Sequence, residues 1–174
     1  MQSILLDVHT KLAELRTVLA NAIAGMSRDD FARHPQGKWS SAEILDHLNL
    51  TYLGTIKNCE RCLANGKAGS GADRKSKRWQ RLYVVGLGLL PSGRKSPERV
   101  LPRGTPVEEL TTAIFTNIDR MDQVIADCNT RFGQGNVIAD HPIIGPLTAS
   151  EWCKFHFVHG KHHARQIVLL KAQV

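Results

Sequence analysis

The sequence predicts an all-α fold, with four long helices in an antiparallel bundle and a long basic crossover between the second and third. Three observations carry this. Apolar residues recur at helical spacing along four separate runs. Three of those runs open on a capping-box pattern. No stretch alternates apolar and polar residues between hairpin turns, which leaves all-β and α/β folds without support. Neither an internal repeat nor a linker-like shift in composition divides the 174 residues, so one domain over residues 1–174 is expected.

The first run, residues 2–24, sets Ile4, Val8, Leu12, Leu15, Leu19 and Ile23 on one face. The second, residues 40–65, opens with Ser40 and Glu43 as a capping box and continues with Leu45, Leu48, Tyr52, Ile56, Cys59 and Leu63. The third starts at Thr105-Pro106, an N-cap followed by proline in the first turn, with Glu108 three residues on. Its stripe is Leu110, Ile114, Ile118, Met121, Ile125 and Cys128. Thr148 and Glu151 box the start of the fourth, which runs close to the C-terminus. Residues 66–104 are long enough for a crossover, with a short helix expected over residues 79–90. Trp39 and Trp152, each beside a cap, are expected to pack the ends of the bundle.

Composition narrows the function classes. Apolar residues make up 42% of the chain, a normal globular share, and the formal net charge is +7. Ten Lys or Arg lie within residues 67–103 against Asp73 and Glu98 alone, so this segment carries +8 and the remainder about −1. The basic character thus belongs to one segment. It reads as a solvated basic loop, or as a means of steering an anionic substrate. It shows no helix-turn-helix, RNP or zinc-finger pattern, which disfavours a nucleic-acid partner. The longest nearly uncharged apolar stretch, residues 82–90, is too short to span a bilayer, and the first run is too charged for a signal peptide. Four cysteines without dense spacing fit a reducing compartment, and a soluble cytoplasmic protein is expected. Cys59 and Cys62 have redox spacing but lie on or near an apolar helix face; like Cys128 and Cys153 they read as core thiols.

The densest chemistry is in the fourth run. Successive steps of about 100° bring Trp152, His156, His159, His163, Gln166 and Leu170 into one stripe, with Lys154, Lys161 and Arg165 opposite. Histidines here stand where a bundle helix presents leucine. Burying an imidazole is unfavourable unless its nitrogens find partners, and a metal ion supplies one. His159 and His163 are four apart, which stacks them on one helical face. The residues between them are Gly160, Lys161 and His162, so the glutamate of a zinc-protease motif is absent. The competing reading is a packed, hydrogen-bonded pair of core imidazoles. His47 is the candidate third ligand, as the histidine of the second helix, with Thr51 and Gly54 nearby to leave room. Three neutral imidazoles with an open position suit zinc first, with nickel or iron as alternatives. His156, His162 and Gln166 are the candidates for touching substrate or orienting a ligand. His141 reads as a loop residue that fixes the entry to the fourth helix. A second face of that helix, with Cys153, Phe157, Gly160, Ala164 and Val168, suits either a homodimer contact or further packing within the monomer.

Trp39-Ser-Ser-Ala-Glu-Ile-Leu-Asp-His47-Leu48 resembles the first signature of the DinB/YfiT-like family of metal-binding four-helix bundles, and His159-Gly-Lys-His-His-Ala-Arg-Gln-Ile167 resembles the second. His141-Pro-Ile-Ile-Gly-Pro-Leu-Thr148, followed by Glu151-Trp152, is similar to one DinB-like branch. The resemblance covers most of the chain. It implies an up-up-down-down bundle, a homodimer, and a divalent metal on three histidines that map to His47, His159 and His163. It also implies an enzyme in which the metal activates a low-molecular-weight thiol toward an electrophile, as a transferase or isomerase. Activation of water for hydrolysis is the related possibility. The reading from a different class is a non-catalytic bundle whose segment 67–103 binds nucleic acid or a protein. That segment and His156 depart from the family pattern.

Overall fold

The computed structural model describes residues 2–34, 36–72, 74–89 and 96–172, with side chains from Thr10 onward. The stripe residues Ile4 and Val8, and the charges Asp73, Arg94 and Lys95, fall outside that description. The chain is mostly helical. Four long helices, α1 (Gln2–Ile23), α3 (Ser41–Asn65), α5 (Val107–Phe132) and α6 (Ala149–Lys171), enclose one core. A short α2 (Arg28–Ala32) precedes α3, and the connection from α3 to α5 carries α4 (Arg78–Arg81), a π-helical turn (Leu82–Gly86) and a 3-10 turn (Glu98–Val100). A hairpin of β1 (Val137–His141) and β2 (Gly145–Thr148) leads into α6.

Local sequence explains the ends of α3 and α6. Ser40 accepts from the Glu43 N–H while Glu43 accepts from the Ser40 N–H, and Thr148 and Glu151 repeat the exchange. Thr105 does not do the same for α5: its hydroxyl donates to Asp46 at 3.1 Å, and the N-cap position belongs to Pro106, which has no side-chain bond to give. The Thr105 side chain thus serves the contact to the buried Asp46, and α5 begins one residue later than the sequence pattern suggests. A further capping box, Ser27 with Asp30, starts α2.

Contacts along the helices set their directions. Lys11 reaches Phe157, Leu15 meets Gly160 and Lys171 reaches the Ala24 carbonyl, so α1 and α6 run parallel. Asp46 pairs with Thr105, Asn49 with Asn117 and Cys59 with Cys128, so α3 and α5 are parallel too. His47 lies at the level of His163 and Thr55 at that of His156, which opposes α3 to α6. The long helices therefore run up-down-down-up, which corrects the up-up-down-down order. Parallel neighbours α3 and α5 demand a return along their length, and residues 66–106 make it.

That return is fastened to α6. Arg74 forks onto Glu151 at 2.9 and 3.1 Å and also donates to the Pro146 carbonyl, while Arg81 lies 3.3 Å from the same carboxylate. Two of the arginines in the basic segment are thus structural, which corrects its description as simply solvated. The small-residue face of α6 is also accounted for within the monomer: a Cβ on Gly160 would lie 2.3 Å from Leu15 and 3.1 Å from the Tyr52 hydroxyl. This close approach favours intramolecular packing over a dimer contact at Gly160. Among the described residues no helix is long and apolar enough to cross a membrane.

Candidate metal centre

His47 and the pair His159, His163 face each other across α3 and α6. The Nε2 atoms of His47 and His159 are 3.3 Å apart, and those of His163 and His159 are 3.1 Å apart. One ligand atom from each of the three rings falls within 4.8 Å of the others. Bonds of about 2.0–2.1 Å from a tetrahedral zinc ion place neighbouring ligand nitrogens a little over 3 Å apart, so the spacing fits. His47 and His163 are buried and His159 is half-buried.

The outer nitrogens decide what the inner ones can do. His47 Nδ1 lies 2.7 Å from the Val100 carbonyl, an atom that only accepts, so Nδ1 carries the proton. His163 Nδ1 likewise donates to Gln166 Oε1 at 2.7 Å. Both neutral rings then turn an Nε2 lone pair inward, toward His159. A hydrogen on His159 Nε2 can serve one lone pair well but not both, and its buried Nδ1 has no hydrogen-bond partner. Protein atoms alone leave this group incompletely satisfied; a cation among the three nitrogens satisfies it. Burial lowers all three pKa values, His163 to about 3 and His159 well below the usual histidine range; mutual repulsion among the rings adds to the effect for His159 and His163. The rings are neutral at pH 7, the form that binds a metal.

The sequence candidates separate here. Gln166 is an outer partner that sets the tautomer of His163. His162 is exposed, with its ring 5.2 Å from that of His163, and lines the cleft beside it. His156 is fully buried: Nε2 lies 2.9 Å from Thr55 Oγ1, the ring stacks on Trp152 at 5.7 Å, and Nδ1 has no partner. His141 belongs to β1 and not to a loop; its Nδ1 accepts from the N–H groups of Ile143 and Ile144, which closes the hairpin turn. Trp152 is buried and donates to the Ala139 carbonyl, whereas Trp39 lies 4.9 Å from the His47 ring and so flanks the centre. Cys59, Cys128 and Cys153 are buried, with Cys62 half-buried.

Sequence reasoning missed two supports. Asp46, fully buried next to His47, accepts from the Arg103 N–H at 2.6 Å and from both the N–H and the hydroxyl of Thr105. This pins the end of the crossover beside Val100, the acceptor for His47. Asp46 stands out only as a carboxylate on an apolar face. The Val100 carbonyl has no sequence signature at all.

Two predictions arise here. Replacing Gln166 by Leu removes the acceptor that orients His163, and metal affinity is expected to fall about 10–100-fold, with Gln166→Glu retaining most of it. Competition with a chromogenic chelator measures this, and equal affinity for the leucine variant counts against the assignment. The second concerns pH. Burial depresses His141 to about 4 and His156 to about 3, with Arg99 and His141 respectively contributing. Their unfolded values are near 6.5, so the unfolded chain binds more protons in between. Stability is fully present above about pH 6.5 and declines as the pH falls toward 4, by up to about 1.4 kcal/mol per pH unit for each histidine. Urea unfolding in the presence of a chelator, from pH 8 to 4, should show this slope; a flat profile would contradict it.

The sequence model of the DinB superfamily matches residues 11–167. No curated protein and no solved structure matches the chain.

Proposed function

The chain belongs to the DinB superfamily, and from that premise we propose that it is a divalent-metal-dependent enzyme built on a single-domain four-helix bundle. His47, His159 and His163 would hold the ion. The observation that carries the proposal is the convergence of three Nε2 atoms at 3.1 and 3.3 Å, with two tautomers fixed by Val100 and Gln166. An ion held by three neutral imidazoles keeps a position for a further ligand, lowers the pKa of a thiol or water placed there, and makes it a nucleophile at neutral pH. Zinc fits the donor set first, with nickel or iron as alternatives. A low-molecular-weight thiol transferred to an electrophile is the favoured reaction, and hydrolysis is the related one.

The protein residues have separate tasks in this reading. Val100 and Gln166 hold the rings so that the inward nitrogens remain acceptors. The centre opens on a cleft of about 2100 Å³, which His162 also lines, so a substrate has access. His162 is the proposed contact for substrate. His156, sealed against Trp152 and Thr55, supports the wall behind the ligands. A homodimer accompanies the reading on family grounds, and a cytoplasmic location on the four widely spaced cysteines.

Elemental analysis of protein purified without chelator is expected to give close to one zinc, nickel or iron ion per chain. The matching assay follows loss of free thiol against a panel of electrophiles, with and without metal. Absence of stoichiometric metal, under conditions where added ions also fail to bind, sinks the proposal. Metal binding with no turnover of thiol or ester confines it to a binding role.

A further inference from the structure

The cleft beside the histidines gathers most of the large apolar side chains left exposed among the described residues. Nine large apolar side chains are exposed among the described residues, and seven of them line this cleft. Trp79, Leu82, Tyr83 and Leu87 come from the crossover, Leu53 from α3, Leu101 from beyond the 3-10 turn and Leu169 from α6. Trp79 is 69% exposed, and Leu87 and Leu169 are each 64% exposed, values a core-facing residue does not show. Side chains from separate parts of the chain thus converge on one concavity, whose volume exceeds the roughly 300–1,000 Å³ of usual small-molecule pockets. The charge lining it is one-sided. Lys38, Lys57, Arg61, Arg99 and Arg103 face a single carboxylate, Asp140.

We propose that the cleft binds a free long-chain carboxylate, its alkyl chain against the apolar wall and its acid group among the lysines and arginines. The inference rests on the metal-enzyme reading only for its consequence, that the substrate reaching the three histidines is an anionic amphiphile. The binding itself follows from the cleft. An apolar wall alone would accept any oily molecule, and a basic wall alone any small anion. The combination selects for both properties at once. A bilayer is a poorer occupant because the apolar residues line a hollow and not a projecting face. A second copy is poorer as well, since two such clefts would bring ten like charges together.

Calorimetry on the full chain with decanoate, decyltrimethylammonium and acetate tests this, supported by the fluorescence of the three tryptophans, all of which line the cleft. Decanoate is expected to bind both metal-loaded and metal-free protein, roughly tenfold tighter than decyltrimethylammonium at low salt. Acetate, with the charge but no chain, should bind far more weakly. Lys57→Gln with Arg99→Gln leaves three of the five cations and should reduce the preference for the anion several-fold while keeping the affinity for the chain. Leu87→Asp with Leu169→Asp, at exposed positions where folding is indifferent, should weaken decanoate by more than about tenfold. The proposal is overturned by equal affinity for the two decyl probes, by acetate binding as tightly as decanoate, or by no binding. It is also overturned by a dimer that excludes decanoate, or by decanoate-like affinity only for anionic vesicles. Metal content is measured on the same samples: metal without decanoate binding refutes this inference alone, and decanoate binding without metal refutes the enzyme reading alone.

Discussion

Replacing His159 by Ala is expected to lower metal affinity by well over about 100-fold, more than the loss of a residue that only orients a ligand. His159 is the ring that both others approach, at 3.1 and 3.3 Å, so its removal leaves two nitrogens with nothing between them. The metal-free protein should behave differently. The Nδ1 of His159 is buried without a partner, and removing an unsatisfied polar group relieves a penalty of about 1–3 kcal/mol. His159→Leu, which also keeps an apolar contact with Phe155, is therefore expected to leave chelator-treated protein as stable as the native chain, or more so. Metal titration and urea unfolding of the same variant separate the two effects. A variant that still binds one ion per chain, or one that unfolds much earlier without metal, would show that His159 serves the core and not an ion.

The largest stability effect away from the ligands is expected at Asp46. Its carboxylate accepts from two backbone N–H groups and one hydroxyl at the end of the crossover, and it is only 2% exposed. Asp46→Ala strands those three donors and should cost about 3 kcal/mol, seen as a lower urea midpoint. Asp46→Asn keeps one acceptor oxygen and should lose less. Because the same crossover brings Val100 to His47, the alanine variant should also bind metal about tenfold more weakly at a temperature where it remains folded. Unchanged metal affinity in a destabilised variant would mean that the 3-10 turn is held in place by other contacts.

How much of this was legible in the sequence depended on the range of the interaction. The caps at Ser40 and Thr148 were legible because both partners lie within four residues. The pairing of His159 with His163 was legible for the same reason, as one turn of helix sets it. The support of His47 was not legible, because it comes from Val100, 53 residues away in the chain. Thr105 carries a cap pattern, yet its hydroxyl donates to Asp46, which no local pattern places beside it, and Pro106 takes the N-cap position. The hairpin before α6 escaped notice because two strands of five and four residues are too short to establish alternation, and a histidine side chain closes their turn. The helix order is not legible for a related reason: stripes give each helix a face but no direction, and the order expected here came from the family resemblance alone.

The bond from His47 to Val100 ends on the main chain, and main-chain oxygens are common to all twenty amino acids. Position 100 is therefore free to change its side chain, within the limits of space, without disturbing the tautomer of the histidine it serves. What the centre requires of that segment is its length and course. Inserting or deleting one residue between Asp46's grip at Arg103 and the start of the 3-10 turn would shift the carbonyl away from the ring, although every ligand remained in place. Here the spelling of the chain matters less than its count.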